Sequence, residues 1–123
     1  MKLRDLDAQW LYGAHAKEYR RSSKASVDGM QGVMFQCPKC SVGKQHGEEN
    51  GRRFVRGAHY IRVFFSNPRG VSVAPPEADS NPRWAMSGSS IDDLTLSPSI
   101  NLDVPENSGG CGWHGWVKNG DAA

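Results

Sequence analysis

The stretch GVMFQCPKC, residues 32–40, joins a strand signal to a chemical one. Val33 and Phe35 alternate with Met34 and Gln36 in the two-residue period of a pleated strand, and Pro38 sits inside a Cys-x-x-Cys turn. The same period returns in HYIRVFF, residues 59–65. There Ile61, Val63 and Phe65 point one way and Tyr60, Arg62 and Phe64 the other. DDLTLSPSINLDV, residues 92–104, adds a strand with Leu94 and Leu96 on one side and a second extended piece after Pro98. GWHGWVKNG, residues 112–120, reads as a short last strand closed by an Asn-Gly turn.

The front of the chain reads differently. Leu3, Leu6, Trp10 and Ala14 stand at helical spacing over residues 3–20, with Gly13 against a helix and a strand around Trp10–Tyr12 as its competitor. The polar RSSKASVDG after it reads as a linker. Residues 41–53 read as a polar surface loop, and residues 66–90 carry repeated turn signals with Trp84 plugging the core from a loop. The expectation is a small, β-rich α+β domain. Residues 30–120 form its body, and residues 1–29 a loosely attached segment, partly helical or extended.

The totals agree. A chain of 123 residues with 14 glycines and 7 prolines is one loop-rich domain, and a mean hydropathy of −0.60 leaves it a modest core. Domains of this kind often need a staple beyond apolar packing. Three cysteines cannot all pair. The start, MKLRDLDAQW, has no apolar run of signal length, and nowhere do about 18 apolar residues follow one another. The expected location is therefore the cytoplasm, where thiols stay reduced and a Cys-x-x-Cys pair binds metal more often than it forms a disulfide.

Cys111 and His114 complete a metal set with Cys37 and Cys40: C-x2-C plus C-x2-H, a donor set that suits tetrahedral Zn2+. About 70 residues separate the half-sites, and closing that loop costs roughly 4 kcal/mol. A structural zinc returns on the order of 10–16 kcal/mol, so the separation is no bar. A redox reading of Cys37 and Cys40 lacks the βαβ setting it needs. A zinc enzyme of deaminase or hydrolase type, using His46 and Glu48 of an H-x-E element, is the catalytic alternative. It would leave Cys111 and His114 unexplained.

No other catalytic set emerges. Asp92 and Asp93 are adjacent and point to opposite faces of a strand. Ser97 and Ser99 flank Pro98 without a glycine-flanked elbow, which argues against a serine nucleophile. His15 and His59 have no identifiable partners. Charge is uneven: residues 1–62 hold 12 Lys/Arg against 6 Asp/Glu, and residues 63–123 hold 3 against 7. Arg52, Arg53, Arg56, Tyr60, Arg62 and Phe64 interleave cations with rings, a pattern that suits nucleic acid.

GVMFQCPKC, the PRW of residues 82–84 with Gly88 after it, IDDLTLSPSINL and GCGWHGWVKNG occur in that order. Together they resemble an uncharacterised family of small phage and prophage proteins, some of them labelled ammonia monooxygenases. The resemblance implies a phage-encoded zinc-binding domain with Cys37, Cys40, Cys111 and His114 at matched positions. It also marks Trp84, Asp92, Asp93, Trp113 and Trp116 as family-like. The function expected from the sequence is macromolecular binding to nucleic acid, a host protein or a virion component, without catalysis and without a membrane.

Overall fold

A computed structural model describes residues 1–13, 20–73, 82–101 and 112–123. Two four-stranded antiparallel sheets share one core. The first runs β2-β1-β3-β6, built from β1 (Gln9–Tyr12), β2 (Arg20–Ser22), β3 (Gly32–Gln36) and β6 (Tyr60–Phe64). The second runs β10-β9-β8-β7, built from β7 (Ala85–Ser87), β8 (Thr95–Asn101), β9 (His114–Lys118) and β10 (Asp121–Ala122). A separate hairpin pairs β4 (His46–Glu49) with β5 (Arg52–Val55). The one α-helix among the described residues, α1, is the single turn Pro38–Ser41. Short 3-10 turns occupy Leu3–Asp5 and Ile91–Asp93. The domain is thus small, single and strand-rich, with few helices. None of its described helices is long and apolar enough to cross a membrane.

β3 is buried at all five positions, and that determines what surrounds it. Val33 and Phe35 face the other sheet, where the ring of Phe35 meets Trp113 edge-on at 6.2 Å between centroids. At the end of the strand the buried amide of Gln36 is fully used. Its Nε2 donates to the carbonyls of Val55 (2.7 Å) and Ala58 (3.2 Å), and its Oε1 accepts from the Val55 N–H (2.7 Å). Those bonds fasten the β4–β5 hairpin beside β3. Gly32 has no room for a side chain, since a Cβ there would lie 2.4 Å from the Val63 carbonyl oxygen.

The N-terminal segment departs from the sequence expectation. The helix over residues 3–20 does not form: after Leu3–Asp5 the chain turns at Asp7 (φ 50) and enters β1 as a strand. Residues 14–19 lie outside the described residues. β1 pairs with β2 and β3 along its two edges, and its successive residues Trp10 and Leu11, which point to opposite faces, are both buried, so their spacing carries no helical meaning. Leu3, Leu6, Trp10 and Val27 are fully buried, and the Trp10 indole donates to the Lys24 carbonyl at 2.9 Å. The polar loop after Cys40 is also more ordered than its composition implies. Asn50 (φ 53) and Gly51 (φ 80) make the two-residue turn of the β4–β5 hairpin, an Asn-Gly signal like the one at Asn119 and Gly120.

Asp7 ties this region to the first sheet. Its nearly buried carboxylate accepts from the Gln9 amide (3.0 Å) and the Tyr60 hydroxyl, and pairs with Arg52 Nε at 3.0 Å. Burial first, then the bond and the charge of Asp7, push the Tyr60 phenol from its ordinary 10.0 up to about 12. The folded protein therefore holds that proton more tightly than the unfolded chain. The resulting stabilisation is complete below pH 10 and is lost as pH rises towards 12. Urea unfolding across this window should show wild type losing more stability than Tyr60→Phe. Parallel losses in the two proteins would show that the Tyr60–Asp7 bond is not coupled to folding.

Candidate active site and metal cluster

β8 cannot run as a regular strand. Pro98 has no N–H for the ladder, and the register breaks around it. Leu96 pairs with Val117 and Ile100 with Gly115, so four steps along β8 match two along β9. The surplus residues bulge outward while Leu96 and Ile100 remain in the core. The Ser97–Pro98 peptide is cis. On β9 the alternation is regular: Gly115 and Val117 face in, and His114, Trp116 and Lys118 face out.

The bulge and the outward face meet at one contact. Ser99 Oγ lies 3.0 Å from His114 Nε2. Ser99 donates this bond when His114 carries its own proton on Nδ1, which leaves Nε2 as the acceptor. Behind the serine, Trp84 Nε1 donates to the Ser99 carbonyl at 3.3 Å. Trp84 is part-buried and bridged to Phe65, so it connects the backbone of Ser99 to the core. A hydroxyl hydrogen-bonded to an imidazole is the pairing from which an activated oxygen nucleophile is made. The sequence had counted Ser99 out because its neighbours form no elbow. The bulge supplies the exposure that an elbow would have supplied.

The second constellation lies at the end of β3. Cys37 is fully buried and caps α1, and its Sγ accepts from the Cys40 N–H at 3.5 Å. The Cys37 N–H in turn donates to the His59 carbonyl at 2.9 Å, which brings the residue before β6 alongside. The two thiol sulfurs and a ring nitrogen of His59 lie within 4.8 Å of one another, a group able to hold a metal ion. Of the four ligands expected from sequence, Cys37 and Cys40 are thus together, His114 has its Nε2 on Ser99, and Cys111 lies outside the described residues. His59 had no spacing signal; only the β3–β6 register, with Gln36 opposite Tyr60, places it.

The other candidates scatter. His46 and Glu48 on β4 line an open recess with Asp5 and Arg53, away from the cysteines. Arg52 is paired with Asp7, Arg53 with Asp5 at 3.0 Å, and Arg56 lies 5.6 Å over the Phe54 ring. Tyr60 gives its hydroxyl to Asp7, while Arg62 and Phe64 follow along β6. Asp93 serves structure: its carboxylate accepts from the Ser90 N–H (2.8 Å) and the Ser89 N–H (3.0 Å), which holds it below the usual carboxylate range.

Comparison with known proteins bears on the same stretch of chain. The family model for BubE, the bacterial ubiquitination-like system serine protease, matches residues 67–123, somewhat under half of the chain. That span contains both Ser99 and His114. Neither the curated proteins nor the solved structures include a match to the chain. The match corrects three expectations. The resemblance to a phage and prophage family gives way to similarity with a protease family. The expectation of a non-catalytic binding module gives way to similarity with an enzyme family. The deaminase-like role for His46 and Glu48 gives way as well, since the matched family is one of serine proteases and both residues lie outside the matched span.

β9 owes its position partly to Gly115, next to the histidine. A Cβ there would lie 2.5 Å from the Ala123 carbonyl oxygen and 2.6 Å from the Trp113 ring. Overpacking of this kind costs about 1–3 kcal/mol. Gly115→Ala should therefore melt several degrees below wild type. An unchanged melting curve would mean that β9 has more room than these contacts allow.

Proposed function

We propose that the protein is a serine peptidase acting on polypeptides of a ubiquitin-like modification system, with Ser99 as nucleophile and His114 as general base. The carrying observation is the 3.0 Å contact between Ser99 Oγ and His114 Nε2, both within the residues that match the protease family. In the first step Ser99 Oγ attacks the scissile carbonyl and its proton passes to His114 Nε2. His114 then returns that proton to the departing amine, leaving an acyl ester on Ser99. Water attacks the ester, gives its proton to the same nitrogen, and releases the acid and the free hydroxyl. The partner is accordingly a polypeptide chain, and the setting a cytoplasm in which thiols remain reduced.

We read the ion suited to Cys37, Cys40 and His59 as zinc, because two thiolates and an imidazole are the donors it prefers. Cys111 remains our candidate for the fourth ligand. It precedes Gly112, where a Cβ would lie 4.0 Å from Nζ of Lys39, a residue of the Cys-x-x-Cys turn. Three cysteines and one histidine then make up the set, with His59 in the place the sequence had given to His114.

A fluorophosphonate probe and a ubiquitin-like protein carrying a C-terminal extension test the peptidase. Wild type should take up the probe at Ser99 and trim the extension. Ser99→Ala and His114→Ala should each lower turnover on the order of 10³-fold or more, while melting like wild type. A Ser99→Ala protein that cleaves at the wild-type rate would end this assignment.

A further inference from the structure

We infer that the metal held by Cys37, Cys40 and His59 is a positioning device for His114: it fixes the residues that lead into β9 and takes no part at the reacting atoms. The inference rests on the peptidase assignment for the role of His114, but its physical content is independent of that role. Three observations carry it.

The ligands and the catalytic pair belong to different sheets. Cys37 and Cys40 follow β3 and His59 precedes β6, whereas Ser99 and His114 are on β8 and β9. The two described residues just before His114 nevertheless both abut the elements that bear the ligands. Trp113, only 6% exposed, meets the ring of Phe35 edge-on at 6.2 Å, and Phe35 is two residues from Cys37. Gly112 turns at φ 68 beside Lys39, which stands between the two cysteines.

The geometry also distinguishes rigid from soft parts. Cys37 is buried, bonded through its N–H to the His59 carbonyl and through its sulfur to the Cys40 N–H. The two thiol sulfurs and an imidazole nitrogen already lie within 4.8 Å of one another. A zinc ion converts this cluster into a covalently clamped corner at the end of β3. Phe35 is then fixed against Trp113, and Trp113 is joined by one peptide bond to the base. Small displacements matter at such a pair: about 1 Å of misplacement can cost on the order of 10²-fold in rate.

The test separates ligand from base and metal from catalysis. Zinc should be present at about one per chain in wild type, Ser99→Ala and His114→Ala, and largely lost from His59→Ala and Cys40→Ser. His59→Cys, which restores a ligand, should restore the metal. In wild type stripped by a chelator, fluorophosphonate labelling of Ser99 should slow at least about tenfold, and the Trp113 indole N–H resonance should shift. Zinc and cadmium should restore both equally well, since a clamp needs only ligation. His59→Ala that keeps its zinc, or His114→Ala that loses it, would overturn the ligand assignment. Unchanged labelling after stripping, or recovery with zinc but not cadmium, would overturn the positioning role. Should Ser99→Ala label like wild type, the peptidase assignment falls separately, and the zinc counts and the Trp113 resonance still decide whether the metal fixes this strand.

Discussion

The burial of β3 along its whole length is the constraint from which the rest of the architecture follows. A strand with no solvent face needs cover on both sides and a partner for every polar atom it carries. The second sheet covers one side through contacts such as Phe35 against Trp113. The β4–β5 hairpin is held beside the strand by the three hydrogen bonds of Gln36. β1 and β6 pair along its two edges, and each brings a piece of the chain that sequence distance would not suggest: Asp7 from one direction, His59 from the other.

The functional side chains lie where this order stops being regular. The cysteines follow the last residue of β3, where the ladder ends and a single helical turn begins. Ser99 lies in the stretch of β8 that Pro98 excludes from pairing. Both places release side chains from the alternation of the ladder while the adjoining strand keeps their backbone fixed. The basic side chains that suggested nucleic acid are largely occupied at home: Arg52 and Arg53 neutralise Asp7 and Asp5.

Local features were legible in the sequence and non-local ones were not. Alternation in residues 32–36 and 60–64 gave β3 and β6, because a strand with one face inward must repeat every two residues. The same alternation holds in the last strand, where Val117 is buried and Trp116 is 45% exposed. The Cys-x-x-Cys turn was recognisable since its geometry is confined to four residues. His59 was not, because its neighbourhood is set by strand pairing across more than twenty positions. Ser99 was dismissed for want of a glycine elbow, a motif tied to a different fold; a proline-driven bulge has no comparable signature. Over residues 3–20 helical spacing competed with a strand around Trp10–Tyr12, and the strand formed for a third reason. Leu3, Leu6 and Trp10 are covered on every side, so their spacing reports depth in the core and no periodicity of the backbone.

Ser99 is half-buried and His114 exposed, on the outer face of a sheet that leaves them in contact with bulk water. Water screens the charges that develop during acyl transfer, so a pair in this setting draws little from the protein's own interior. For a peptidase built in this way, much of the catalytic environment arrives with the substrate. A polypeptide lying across β8 and β9 would displace solvent, lower the local dielectric and strengthen the bond between hydroxyl and imidazole. Short peptides that cover less of the sheet would leave the pair wet and slow.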